Sequence, residues 1–152
     1  MAVHVQSEDF DPAALIAGLT AGRTDIGGLA TFIGQVRDEN KGARVTSLTL
    51  EHYPGMTEKE LARIEAEARQ RWPLHDVVIV HRHGRLMPGD NIVFVGTSSS
   101  HRQAAFEACQ FIMDYLKTDA PFWKLETTAD GTEHWVEARQ SDRDQRDRWQ
   151  ND

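Results

Sequence analysis

Residues 98–126 read SSSHRQAAFEACQFIMDYLKTDAPFWKLE, and this stretch carries the strongest helix signal in the chain. Its apolar residues recur at helical spacing, which predicts a long helix with one buried face. Ser100 and Gln103 have the spacing of a capping box, so the helix is predicted to begin at His101. The stretch therefore fixes one helix of an otherwise mixed fold.

Both ends of this predicted helix carry positive charge. A helix N-terminus presents unpaired N–H groups and a partial positive charge, and Arg102 beside His101 adds a full one. This end is predicted to suit an anion such as phosphate or carboxylate. Lys117 lies at the other end, about 24 Å away at the rise of a helix, and Lys124 follows in a predicted strand. If both ends serve one site, two subunits have to contribute to it.

The composition predicts one folded, soluble domain. The chain has 152 residues, of which 39% are hydrophobic and 27% charged. Its net charge of -7 argues against non-specific binding to nucleic acid, whose phosphates would be repelled. No apolar run has membrane-spanning length, and the first ten residues, MAVHVQSEDF, lack the features of a signal peptide. A cytoplasmic protein that binds no membrane is therefore expected.

Cysteine and histidine usage give little support to a metal or disulfide. Cys109 is the single cysteine, so the chain forms no internal disulfide and no cysteine-rich zinc site. It falls on the predicted buried face of the helix, where a small core residue is expected rather than a nucleophile. His81 and His83 are two residues apart, but no third ligand lies near them in sequence. Neither a metal nor another cofactor is expected.

The remaining pattern predicts an α+β protein with a mixed antiparallel sheet, three helices and a C-terminal hairpin. Strands are predicted at 3–6, 27–36, 44–53, 77–81, 91–96, 122–127 and 134–137, helices at 12–20, from 57 and from 101, and polar loops at 38–42 and 83–90. Asp11 is predicted to cap the first helix, with Pro12 at its first position. Thr57 and Glu60 have capping-box spacing at the start of the second.

The last residues differ from the rest in composition. From Arg139 the chain alternates aspartate and arginine, and Trp149 is almost its only residue to bury. Such a segment is either an exposed helix or disordered. We therefore expect a single catalytic domain at 1–138 and a charged C-terminal tail at 139–152.

The lysine with the most suggestive surroundings is Lys124. Strand alternation places it on the same face as Phe122 and Glu126. Aromatic neighbours remove water, which lowers a lysine pKa and makes the amine usable as a proton shuttle or nucleophile, whereas Glu126 would hold it charged. Lys117 alone is explained by the negative end of the helix dipole. At His101, anion binding and a merely solvated helix start remain open alternatives.

Five motifs, which cover the chain from about Gly27 to Arg139, point to one family. They are TFIGQVR at 31–37, LTLEHYPGM at 48–56, HRHGRLMPGD at 81–90, SSSHRQAAFEACQFIMDYLK at 98–117 and APFWKLE at 120–126. In this order they resemble the large, catalytic subunit of molybdopterin synthase. The resemblance implies an α/β hammerhead-type fold, and a homodimer at the centre of a heterotetramer.

The same resemblance implies an activity and a partner. The partner is a small ubiquitin-like sulfur carrier whose C-terminal Gly-Gly ends in a thiocarboxylate. The activity is that of a sulfurtransferase in molybdenum cofactor biosynthesis, which inserts two dithiolene sulfurs into cyclic pyranopterin monophosphate and so forms molybdopterin.

Carried over position by position, the resemblance also implies a set of site residues. The catalytic lysines fall on Lys117 and Lys124. The substrate-binding residues fall on Gln35, Val36, Arg37, His101, Arg102, Leu125 and Glu126, with Arg139 in their vicinity. Two positions depart from the family, because His83 replaces a usual aliphatic residue and Leu125 a frequent basic one. Both departures leave the catalytic groups intact.

Two other functions fit the residues alone. One is a non-catalytic module that docks a ubiquitin-like tail or a nucleotide, although a docking surface has no need of a desolvated lysine. The other is a lyase in which Lys124 forms a Schiff base with a carbonyl substrate.

Overall fold

The computed structural model describes residues 3–151, with the side chain of residue 151 left out. Its elements in chain order are β1 (Val3–Gln6), α1 (Pro12–Thr20), β2 (Gly28–Gln35), β3 (Glu39–Asn40), β4 (Ala43–His52), α2 (Met56–Arg71), β5 (Leu74–Arg82), β6 (Gly84–Leu86), β7 (Asn91–Ser99), α3 (Arg102–Leu116), β8 (Phe122–Thr128), β9 (Glu133–Val136), α4 (Gln140–Asp147) and a 3₁₀ helix (Arg148–Asn151). The predicted α+β class is confirmed. The described chain has four α-helices rather than three, because the C-terminal tail is helical.

The first sheet has the strand order β1-β5-β7-β2 and is covered by helices on both faces. β1 runs parallel to β5, and the other pairs are antiparallel. One face packs on α2 and α3, where Ile64 and Ile112 meet Ile79 and Val95. The opposite face packs on α1, since Leu19 contacts the alternate residues Val80 and Phe94. Burial on both faces explains why β5 and β7 each contain an unbroken apolar run, at 77–80 and 92–96.

The second sheet has the order β3-β4-β8-β9, and β6 adds to β4. The two short strands β3 and β6 lie in the segments predicted as polar loops at 38–42 and 83–90. A small core of Val36, Leu48, Leu50 and Leu86 packs against this sheet. Because only five residues connect α3 to β8, the end of the long helix lies close to the second sheet.

Two of the predicted helix caps are wrong. Ser100 does not cap α3, because its hydroxyl donates to the Asp25 carbonyl at 3.1 Å and lies 2.9 Å from His75 Nε2. At α2 the helix begins at Met56, and the Glu58 carboxylate accepts the Gly55 N–H at 2.7 Å. Thr57 bonds back to Tyr53 instead. At α1, by contrast, the Asp11 carboxylate accepts the Ala13 and Ala14 N–H groups as predicted.

The C-terminal tail is helical and is fastened to α3. Trp149 is 8% exposed and packs edge-on against Trp72 and Phe111. Its indole Nε1–H donates to the buried Asp114 carboxylate at 2.7 Å, and Arg146 pairs with Asp119. The helical alternative for this segment is therefore the correct one. Between residues 3 and 151, no helix combines the length and apolar character needed to cross a bilayer.

Candidate active site

A cavity of about 890 Å³ lies where the end of α3 meets the second sheet. Its wall is formed by the end of β2, the last turn of α3, β8, β9 and the start of the tail. The charged side chains that line it are Arg37, Lys117, Lys124, Arg139, Arg143, Glu39, Glu126, Glu137 and Asp142. Exposed aromatic side chains (Phe32, Trp123 and Trp135) complete the wall. The cavity thus combines five cationic and four acidic side chains with an apolar rim.

Lys117 reaches the cavity from the C-terminus of α3. Its backbone N–H donates to the Met113 carbonyl at 3.0 Å, so the residue closes the last helical turn while its side chain stays exposed. The carbonyl end of a helix attracts a cation, which accounts for a lysine at this position. The helix end and the cavity therefore share one residue.

Lys124 reaches the same cavity from the middle of β8, between β4 and β9. It pairs with Leu50 on one side and Val136 on the other. Burial, together with the smaller effect of the Lys117 charge, lowers the pKa of its amine to about 8. Among the described residues it forms no ion pair with Glu126, so of the two alternatives that the sequence left open, desolvation rather than charge pairing governs this amine. It can release and recover a proton near neutral pH.

Glu126 lies two residues beyond Lys124 and is buried. Its carboxylate accepts both hydrogen bonds of the Asn40 amide, at 3.1 and 3.3 Å, and lies 3.1 Å from His134 Nε2. Asn40 in turn accepts a bond from Arg139 at 3.4 Å. Glu126 therefore links β3, β8 and the tail, and it positions Arg139 on the cavity wall.

Arg37 follows β2 and is held by its neighbours on the chain. The Val36 N–H donates to the Asp90 carbonyl at 2.9 Å, and the Val36 carbonyl accepts from Gly89 at 2.8 Å. The Gln35 amide donates to Asn91 at 2.9 Å. These bonds fix an exposed arginine at a point where the cavity meets a smaller one of about 590 Å³, which Lys41 and Arg139 also line. The carboxylates of Asp38 and Glu39 line the smaller cavity beside these three cations.

Three of the predicted site residues lie outside the cavity of a single chain. His101 and Arg102 are exposed at the N-terminus of α3, and the 15 residues of that helix separate them from Lys117. Leu125 alternates with Lys124 on β8 and does not reach the cavity wall. The structure of one chain therefore brings together Gln35, Val36, Arg37, Lys117, Lys124, Glu126 and Arg139.

The sequence did not point to His81 as part of the site. This buried residue of β5 lines the cavity, and its ring stacks on Phe122 with centroids 3.7 Å apart and planes 16° apart. One sequence feature could have indicated it, namely its position directly after the apolar run of a buried strand. A polar side chain is costly to bury there unless it has a hydrogen-bonding role. His83 lies beyond the strand and contacts His52 instead, at 4.3 Å between ring centroids.

Cys109 is a core residue, as expected. It is buried between α3 and the first sheet, and burial raises the pKa of its thiol to about 12. A thiol with that pKa stays protonated and is a poor nucleophile at neutral pH. Cys109 therefore supplies no reactive thiol to the cavity. In residues 3–151, no group of three or more histidine, cysteine or acidic side chains is arranged to hold a metal ion.

Comparison with known proteins gives consistent results. The profile of the MoaE protein family matches residues 5–119. The molybdopterin synthase catalytic subunit of Pseudomonas aeruginosa is 57% identical over 99% of both chains. The subunit of the same name from Escherichia coli K12 is 61% identical over 85% of both.

A solved structure agrees with the fold. The molybdopterin biosynthesis MoaE protein from Burkholderia ambifaria superposes with a TM-score of 0.83 at 56% identity, and 99% of each chain is covered. The profile match spans most of the chain, and the identity to these relatives is high over nearly their whole length. The chain therefore belongs to the MoaE protein family.

Proposed function

We propose that this MoaE family member is the catalytic subunit of a molybdopterin synthase and acts in molybdenum cofactor biosynthesis. In this role it transfers sulfur from the thiocarboxylated C-terminus of a small ubiquitin-like subunit to cyclic pyranopterin monophosphate. The names of its relatives support the role. The structural observation that carries the proposal is the meeting of Lys117 and a desolvated Lys124 in one cavity.

The charge of the cavity suits both reactants. Thiocarboxylate and phosphate are anions, and Arg37, Lys117, Lys124 and Arg139 present cationic donors to the space they would occupy. Apolar groups at the rim, Trp135 among them, are exposed in the single chain. Exposed aromatic side chains of this size are typical of a surface that a protein partner covers.

The second anion site belongs to another copy of the chain in this proposal. His101 and Arg102 lie at the free N–H groups of a helix N-terminus, which favours phosphate. They are a whole helix away from Lys117, so they serve the same substrate only when a second copy supplies them. We therefore propose a homodimer with composite sites, with one small subunit bound at each.

The reaction assigns distinct tasks to the lysines. The thiocarboxylate sulfur attacks a side-chain carbon of the pterin, a C–S bond forms, and an oxygen substituent leaves with a proton from a lysine ammonium. Water then hydrolyses the resulting thioester, which leaves sulfur on the pterin and an ordinary carboxylate on the partner. Lys124 suits the proton transfers because its pKa is about 8. Lys117 stabilises the developing negative charge.

Two parts of the chain have different roles in this function. Residues 1–138 form the catalytic domain, and the tail at 139–152 is an addition that closes one side of the cavity. Arg139, Asp142 and Arg143 lie on the cavity wall. Trp149 holds the segment to α3. Glu126 and Leu125 are proposed to contact the substrate as part of the composite site.

The test is a reconstituted assay with thiocarboxylated small subunit and precursor, in which molybdopterin formation is measured. Lys117→Ala and Lys124→Ala are each expected to reduce turnover by about 10³-fold, the range of a lost acid–base group. Lys59→Ala is the matched control, because Lys59 is exposed on α2 and remote from the cavity. It should leave turnover unchanged.

Other outcomes point to other functions. Near-normal turnover in both lysine variants would remove their catalytic role. If the wild-type chain binds the partner and the precursor without consuming precursor, it is a docking module. If borohydride traps substrate on Lys124, the chain is a Schiff-base lyase.

A further inference from the structure

The imidazole of His81 is fixed in one orientation and one tautomer. Its Nδ1 lies 2.8 Å from the Arg82 carbonyl oxygen, which only accepts hydrogen bonds, so Nδ1 carries the proton. Stacking on Phe122 holds the plane of the ring. The lone pair of the neutral ring is therefore on Nε2, and its direction is set by two independent contacts.

That lone pair faces the cavity. Among the described residues, Nε2 has no hydrogen-bond partner. It is not fully enclosed by protein, because the one fully enclosed side-chain polar atom without a partner there is Ser98 Oγ. Nε2 is consequently open to the cavity that His81 lines. Burial lowers the pKa of the imidazole to about 3, and the charges of Lys124 and Lys117 act in the same direction. The ring stays neutral at any physiological pH.

Nε2 offers an acceptor without charge, unlike the carboxylates of Glu39, Glu126, Glu137 and Asp142 in this wall. The lysines and arginines are donors only. The buried carboxylate, Glu126, is occupied by Asn40 and His134. A further free carboxylate next to Lys124 would neutralise its charge and raise its pKa, whereas an imidazole lone pair offers an acceptor at no cost in net charge.

We propose that His81 is a specificity-determining residue, in which Nε2 accepts a hydrogen bond from an N–H or O–H donor on the uncharged part of the anionic substrate. The assignment rests on the proposed function, since a pterin ring presents N–H donors of this kind. An analogue without the donor leaves a desolvated acceptor unpaired and is rejected. The cations hold the charge, and His81 recognises the heterocycle.

Two substitutions separate the role of Nε2 from that of Nδ1. In His81→Asn the side-chain amide can still donate from near the Nδ1 position, but no acceptor reaches the Nε2 position. In His81→Gln the longer side chain brings an amide oxygen to where Nε2 was. Binding of cyclic pyranopterin monophosphate and of inorganic phosphate is measured for both variants and the wild type by titration calorimetry on the full chain.

The expected result is a loss of about 10-fold in precursor affinity for His81→Asn, partial recovery in His81→Gln and unchanged phosphate affinity in both. A purely structural role predicts the reverse order, because the asparagine variant preserves the bond to Arg82. Equal precursor affinity in wild type and His81→Asn would overturn the assignment of His81 but not the proposed function. A shift in the pH dependence of Lys124 reactivity in His81→Asn would also overturn it, since His81 would then act through the lysine.

If the wild-type chain binds phosphate but not the precursor, the proposed function fails, and the assignment of His81 fails with it. These results differ from a failure of the assignment alone, in which wild type and variant bind the precursor equally well.

Discussion

The two ends of α3 carry similar charges but lie in very different surroundings. At the N-terminus, His101 and Arg102 are exposed on an open surface. At the C-terminus, Lys117 faces a cavity and shares it with Lys124. One chain therefore contains a formed pocket at one end of the helix and an isolated anion-binding tip at the other. The contrast agrees with the proposed homodimer, in which the tip completes a pocket of another chain.

The two ends are also held in place differently. At the N-terminal end, the backbone of Gly27 approaches Ser100 so closely that a Cβ on Gly27 would lie 1.9 Å from the Ser100 carbonyl oxygen. At the C-terminal end, Asp114 in the last turns of α3 binds the indole of Trp149. Close backbone contact supports one end, and a buried aromatic side chain supports the other.

The largest expected effect tests whether the ends cooperate between chains. Arg102→Ala and Lys124→Ala should each abolish most molybdopterin formation. When the two variants are mixed and allowed to exchange subunits, half of the dimers are mixed, and each of these has one site free of both substitutions. Activity should recover to about a quarter of the wild-type value in a symmetric dimer.

The control for this mixture is a double variant that carries both substitutions in one chain, mixed with the wild type. In a mixed dimer of this kind, each of the two composite sites contains one of the two substitutions, so mixed dimers are inactive. No recovery in the first mixture, with subunit exchange verified by mass spectrometry, would mean that each chain uses its own two ends separately.

The next effect concerns the C-terminal support. Trp149→Ala removes a buried indole and its bond to Asp114, and it should lower the free energy of unfolding by about 3 kcal/mol. Urea denaturation measures the loss. Trp135→Ala is the matched control, because Trp135 is 58% exposed and its removal should change stability by at most about 0.5 kcal/mol. Equal effects would mean that the tail does not support α3.

Trp149 also illustrates what the sequence can predict. The helices and most strands follow from local patterns, so their types and approximate bounds were predictable, as was the burial of Cys109. Whether desolvation or Glu126 governs Lys124 was left open by the sequence. The docking of the tail was not predictable, because a single tryptophan among charged residues gives no periodic signal. Its partner Asp114 is 35 positions away in sequence.

The site shows the same division. Lys117, Lys124 and Arg37 were identifiable by motif, because each lies in one of the stretches that resemble the family. The Asn40–Glu126 bond joins residues 86 positions apart and appears only when β3 and β8 enter one sheet. The cap at Ser100 was mispredicted for the same reason, since its hydroxyl donates to the carbonyl of Asp25, 75 positions away. At Thr57 the competing partner is local, because its hydroxyl donates to the carbonyl of Tyr53.

A smaller effect is expected at the N-terminal support. Gly27→Ala places a methyl group against the Ser100 backbone and should cost about 2 kcal/mol of stability, since the start of α3 has to move. Gly18→Ala is the contrasting variant, because no atom lies within 4 Å of its added Cβ in α1. There alanine should stabilise the protein by about 0.5 kcal/mol or more, because it favours the helix. Thermal unfolding of both variants would reveal whether the Gly27 contact is as close as the structure has it.

The smallest effect is a shift in the titration of Lys124, and it tests the charge balance of the cavity. The charge of Lys117 lowers the pKa of the Lys124 amine, and the carboxylate of Asp142 raises it. Lys117→Gln should therefore move that pKa upward from about 8, and Asp142→Asn should move it downward. Only the neutral amine reacts with an acylating reagent, so the pH midpoint of Lys124 labelling, followed by mass spectrometry of its peptide, should rise in the first variant and fall in the second. If neither substitution shifts the midpoint, burial alone sets the pKa of Lys124, and the charges of Lys117 and Asp142 do not act on it.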